Sequence, residues 1–100
     1  MIRIVNLRNY TLNEGEIIVR VDRKTPLGNP FFMNDESERD EVCDSYKDVF
    51  YRRLTKEPEF FKEIRRIATL AEKHDIALGC WCYPKRCHAE TIKRCIEEDF

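Results

Sequence analysis

The chain has almost no net charge, no long apolar run and no even set of cysteines. Its 18 Lys and Arg nearly cancel 19 Asp and Glu, so no overall field gathers a polyanion, and a nucleic-acid partner would need a local patch. No segment approaches the roughly 18 consecutive apolar residues that cross a bilayer. The opening Met1-Ile2-Arg3-Ile4 reads as strand rather than as a basic stretch followed by an apolar one. The expectation is therefore a cytoplasmic protein with no membrane partner. Five cysteines, an odd number without export signals, argue against a disulfide framework and for free or metal-bound thiols in a reducing compartment. No internal repeat, low-complexity tract or linker interrupts the chain. Its 100 residues suffice for one domain, 1–100, that buries about two-thirds of its unfolded surface.

What is present is a regular alternation of strand-like and helix-like segments. Ile2-Arg3-Ile4-Val5-Asn6-Leu7 alternates apolar and polar residues, and Glu16-Ile17-Ile18-Val19-Arg20-Val21 is a β-branched run after the turn-prone Asn13-Glu14-Gly15. Two prolines, a glycine and an asparagine between Arg23 and Phe32 predict a structured loop. Ser37 is a possible N-cap for a helix carrying Val42, Tyr46, Val49, Phe50 and Leu54. Pro58 opens a second helix, with Phe61, Ile64, Ala68 and Ala71 as its apolar stripe, Phe60 and Ile67 at the flanks, and Lys73-His74 at its end. Ile76 to Cys82 is nearly all apolar, as in a strand buried on both faces, with Trp81 facing the core opposite its flanking cysteines. Glu90 to Ile96 closes the chain as a helix. The order ββααβα predicts an α/β domain, a small sheet of about three or more strands covered by three helices with Rossmann-like layering. Ligands in such folds occupy the crevice beyond the carboxyl ends of the strands.

Chemistry concentrates in Cys80-Trp81-Cys82-Tyr83-Pro84-Lys85-Arg86-Cys87-His88. A Cys-His pair at a helix start sits in a field that favours thiolate and attracts anions. Cys87 is a candidate nucleophile and His88 a candidate general acid or base, although side chains adjacent in sequence tend to point apart. Gly28-Asn29-Pro30-Phe31 would form the opposite wall, with Asn29 hydrogen-bonding and Phe31 stacking, or else be a turn that locks strand to helix. Arg23, and less so Arg8 and Arg20, are candidate phosphate clamps, and Cys82 and Arg86 would complete the ligand-binding set. Asp22 could orient Arg23 or hold a ribose hydroxyl.

The two segments Gly28-Asn29-Pro30-Phe31 and Leu78-Gly79-Cys80-Trp81-Cys82-Tyr83-Pro84-Lys85-Arg86-Cys87-His88 resemble the paired signatures of domain of unknown function 4326. The resemblance extends to Val5-Asn6-Leu7-Arg8 and Val21-Asp22-Arg23 and so covers almost the whole chain. It implies a compact α/β domain encoded by microbes and their viruses, and no stated activity. The second segment also resembles the Cys-x-Glu-x-x-Pro-x-x-Cys-His signature of domain of unknown function 488. It departs from that signature with Cys82 in place of the glutamate and a proline one residue closer.

Three readings follow. A nucleotide-like or other phosphorylated small molecule would bind, with or without turnover, between the Gly-Asn-Pro-Phe loop and the Cys-His turn, with no cofactor. Alternatively Cys80, Cys82, Cys87 and His88 are ligands of zinc or an iron-sulfur cluster, although adjacent Cys87 and His88 diverge unless the backbone bends. Finally, the chain is a non-catalytic interaction protein, or binds nucleic acid through Arg52, Arg53, Lys56, Lys62, Arg65 and Arg66 near Tyr51, cations with which Glu57, Glu59 and Glu63 interleave. Cys80 also reads as a small buried hydrophobe, and Cys43 and Cys95 as core or boundary residues on helices.

Overall fold

The computed structural model describes residues 1–100. In chain order the elements are β1 (Ile2–Asn6), β2 (Glu16–Arg20), a 3-10 turn at Glu36–Glu38, α1 (Arg39–Lys56), α2 (Pro58–Lys73), β3 (Asp75–Cys80) and α3 (Ala89–Asp99). The sheet is three-stranded and wholly parallel in the order β1-β3-β2. The central strand pairs Leu78 with Ile4 on one side and Val19 on the other. This is the ββααβα arrangement that the sequence pattern predicts.

β3 is buried along five of its six residues, which is why it reads as a continuous apolar run rather than an alternating one. It ends at Cys80, two residues short of the run itself. The partner strands end at Asn6 and Arg20, and the Asn6 amide donates to the carbonyls of Trp81 and Tyr83 at 3.2 and 2.9 Å, turning the chain out of the sheet. Trp81 is therefore not a core residue; it is 53% exposed at the end of the sheet.

One face of the sheet and all three helices share a single core. Ile2, Ile76, Leu78, Cys80, Val19 and Val21 meet Tyr46 and Phe50 of α1, Phe60, Ile64 and Ile67 of α2, and Ile92, Cys95 and Ile96 of α3. Burial of this cluster, at about 25 cal/mol per Å² of apolar surface, is the main stabilising term. On α2 the buried stripe is Phe60, Ile64, Ile67 and Ala68, so Phe60 takes the central place expected for Phe61, which is 38% exposed. Cys43 and Cys95 are buried on α1 and α3.

The opposite face carries no helix. The connection 7–15 returns across it, and Gly79 makes room: a Cβ there would stand 2.5 Å from the Leu7 side chain. Arg3 and Glu16 form a two-pronged ion pair at 2.7 Å, while Arg3 also donates to the Thr11 carbonyl and Glu16 accepts from the Asn13 N–H. This pins the connection to both edge strands.

The loop after β2 is anchored in the core by Leu27, whose carbonyl accepts from the buried Tyr46 hydroxyl at 2.8 Å. α1 itself has no side-chain cap; the 3-10 turn that leads into it is capped by Asp35, not Ser37. Its carboxylate accepts from the Ser37 N–H, and Glu38 reaches back to the Asp35 N–H. Gly28 packs against backbone: a Cβ there would lie 2.5 Å from Arg23 Cα and 2.6 Å from the Asp22 carbonyl oxygen. No rotamer relieves such contacts. Gly28→Ala should cost about 1–3 kcal/mol of unfolding free energy, read as a fall in the urea midpoint, and an unchanged midpoint would show that the loop does not fold back this tightly.

Candidate functional site

At the carboxyl ends of β2 and β3 the chain leaves the sheet twice, through Val21-Asp22-Arg23 and through Trp81-Cys82. A cavity of about 250 Å³ lies between these exits and α1. Of the residues singled out from sequence, Arg23, Asn29, Phe31, Cys82, Arg86, Cys87 and His88 line it. Gly28 and Pro30 do not: Gly28 seats the loop on Arg23, and Pro30 is exposed. Asp22, Phe32, Met33, Arg39, Val42, Cys43 and Trp81 complete the wall. Sequence reasoning missed Phe32 and Met33, whose signal was an apolar run inside a proline-rich loop, and Arg39 and Val42, which only the packing of α1 brings in.

His88 joins the two sides. Its Nε2–H donates to the Val21 carbonyl, and its ring stands edge-on to Tyr46 with centroids 4.9 Å apart. Burial lowers its pKa below the usual 6.5, so the ring is neutral at pH 7 with Nε2 carrying the proton. Nδ1 has no partner within the chain. Since no buried side-chain polar atom lacks one, Nδ1 keeps some contact with solvent and is free to accept.

Asn29 and Arg23 build the facing wall. The Asn29 Oδ1 accepts from the Phe31 N–H at 2.9 Å, a local turn that leaves the amide NH2 free to donate outward. Arg23 donates from Nε to the Asn29 carbonyl and from Nη2 to the Phe31 carbonyl, both at 2.9 Å, and lies 4.2 Å over the Phe32 ring. It makes no carboxylate ion pair. Asp22 serves neither Arg23 nor an open acceptor role; it is held by Arg20 and by the Trp81 indole N–H at 3.0 Å. The Arg20 guanidinium keeps the Asp22 carboxyl below its usual range. Arg8 lies outside the cavity wall.

The start of α3 differs from an open anion cradle. Glu90 accepts from the Cys87 N–H at 3.2 Å, so the helix supplies its own anion. Lys85 pairs with Glu36, and Arg86 with both Asp40 and Asp44 at 3.0 and 2.9 Å. Arg39 is likewise held by Glu36. Arg86 is thus a tie between the turn and α1 rather than a free clamp, and Arg23 is the one cation in the wall without a carboxylate partner. On the helix surfaces Arg53, Lys62 and Arg66 are similarly paired, with Glu57, Glu59 and Glu63.

The thiols divide in an unexpected way. Cys87 points inward to Cys80, with the sulfurs 3.1 Å apart, while His88 turns to Val21; no Cys-His dyad forms. The Cys87 thiol, together with the backbone N–H groups of Cys82 and Tyr83, pulls the Cys80 pKa from 9.0 down to about 6, and the Cys80 thiolate and burial push Cys87 up. Thiolate character therefore sits on Cys80, not on Cys87 as the helix-start argument implies. Cys82 stands apart, beside the Arg39 guanidinium. No three His, Cys, Asp or Glu side chains are gathered closely enough to hold a metal. Two thiolates on tetrahedral zinc would be about 3.8 Å apart, given Zn–S of about 2.3 Å.

Ultraviolet absorbance of the native protein should reveal one thiolate appearing with a midpoint near pH 6. Cys87→Ala should raise that midpoint by at least about one unit, whereas an unmoved midpoint would show that Cys87 does not support the thiolate. The contribution of Cys80 to stability follows the same sign: a depressed thiol pKa favours the fold fully above 9.0, and that advantage is lost as pH falls through about 6.

The chain matches no curated protein and no solved structure at a significant level. A model of the family described as "Domain of unknown function (DUF4326)" matches residues 5–98. Those residues take in both exits from the sheet and every residue of the cavity wall, and the chain belongs to this family.

Proposed function

We propose that the cavity binds a nucleotide-like or other phosphorylated small molecule. The observation that carries this reading is the convergence of one unpaired guanidinium, one free amide and one neutral imidazole acceptor with Trp81, Phe31 and Phe32 on a single cavity. A flat heterocycle stacks on exposed aromatic faces. Its ring edge finds a donor in Asn29 and an acceptor in His88 Nδ1. Arg23 holds its backbone carbonyl partners through Nε and Nη2, leaving Nη1 to meet an anionic tail. About 250 Å³ lies just below the usual range for enclosed ligands, so the base is housed and the phosphate lies at the rim. The proposal is one of binding: Cys87 is a buried thiol and Nε2 of His88 is already committed.

Trp81 is the chain's single tryptophan and forms part of the cavity wall, so its fluorescence reports on occupancy. Titration with purine and pyrimidine nucleoside monophosphates should quench it saturably for at least one of them. Arg23→Ala should weaken binding roughly tenfold or more, the value of about one charge-assisted contact, and the parent nucleoside should lose the same factor on the unmodified protein. Equal affinity for nucleotide and nucleoside, or an Arg23→Ala protein that binds normally, would refute the assignment of the phosphate to Arg23. Absence of quenching by every nucleotide would refute the nucleotide reading.

A further inference from the structure

Behind the cavity, Cys80 at the end of β3 and Cys87 ahead of α3 bring their sulfur atoms to 3.1 Å. Both are almost completely buried, at 1% and 4% exposure. Cys43 and Cys95 show what a cysteine looks like when it packs as a small hydrophobe: each is buried, and burial raises its thiol pKa. Cys80 and Cys87 are built differently. Their sulfurs face each other at hydrogen-bond distance, and this mutual contact draws the Cys80 pKa down while it pushes that of Cys87 up.

We propose that Cys80 and Cys87 form a redox-active dithiol that hydrogen peroxide converts to an intramolecular disulfide. Cys87 lines the 250 Å³ cavity and also a second, polar cavity of about 510 Å³ between α1 and α3, so an oxidant of water-like size reaches Cys87 from either side, while Cys80 lies behind it. With its proton passed to Cys80 across the 3.1 Å contact, the Cys87 sulfur attacks one peroxide oxygen and the O–O bond breaks. The departing hydroxide takes a proton to become water, leaving a sulfenic acid. The second sulfur then displaces the sulfenic oxygen, which leaves as a second water once protonated, and the S–S bond forms. In sum, two thiols and one peroxide give one disulfide and two waters, with two electrons passing from sulfur to oxygen. The bond closes the turn 81–86, which supplies Trp81, Cys82 and Arg86 to the cavity wall, so oxidation fixes that wall. The proposal is independent of which ligand the cavity takes.

Intact mass and thiol counting on the full chain test it. The reduced protein has five free thiols. A few equivalents of hydrogen peroxide should remove two of them with a mass loss of about 2 Da, two hydrogens, reversed by dithiothreitol. Cys82→Ser should behave in the same way, and Cys80→Ser and Cys87→Ser should each lose the response. Because the first measurement uses the unmodified chain, misfolding of a variant does not obscure it. Five thiols surviving peroxide, oxygen addition to cysteine without loss of hydrogen, or a two-hydrogen loss abolished by Cys82→Ser would each overturn the proposal.

Discussion

The hydrogen bond from His88 Nε2 to the Val21 carbonyl is the joint on which the rest of this structure depends. It ties the end of β2 to the start of α3, two points 67 residues apart in the chain, and requires a proton on Nε2, which in the neutral ring fixes the tautomer. Burial beside Tyr46 and the core keeps it neutral. Tyr46 extends the same joint by donating to the Leu27 carbonyl, so the loop carrying Asn29 and Phe31 is fixed by the helix that also flanks His88. The cavity is the space left between two segments whose roots are locked together.

Electrostatics then decide what that space favours. A helix start preceded by Lys85 and Arg86 resembles a cationic cradle in sequence, but the 3-10 turn presents Glu36 to Lys85, α1 presents Asp40 and Asp44 to Arg86, and α3 caps itself with Glu90. What remains is Arg23, fixed by two carbonyls and resting on Phe32. A guanidinium immobilised without a counter-carboxylate is oriented in advance, so less conformational entropy is lost when an anion arrives. Directly behind this cavity the two sulfurs stand 3.1 Å apart, almost completely buried.

Much of this was legible in the sequence, because the signals involved are local or periodic. The ββααβα order follows from short β-branched runs, Pro58 at a helix start and an unbroken apolar strand. The two sides of the cavity follow from the constrained Gly-Asn-Pro-Phe loop and the Cys-His turn. What could not be read depends on contacts distant in the chain. Trp81 looks like a core residue until Asn6 draws the backbone out of the sheet. Arg86 looks free until α1 supplies its acids, and Cys87 looks like a lone activated thiol until the Cys80 sulfur, seven residues earlier, is found 3.1 Å from its own. Asp35 displaces Ser37 as cap because Glu38 can reciprocate, a signal that was present and local but outweighed by the familiar serine.

The most direct test of the central claim, that the cavity between the two sheet exits is the binding site, is a two-dimensional amide NMR titration with a nucleoside monophosphate. Saturable shifts are expected at Arg23, Asn29, Phe31 and His88 and at the Trp81 indole N–H, with the far ends of α1 and α2 unmoved. Shifts confined to the helix surfaces, or no shifts at all across a panel of nucleotides, would contradict it.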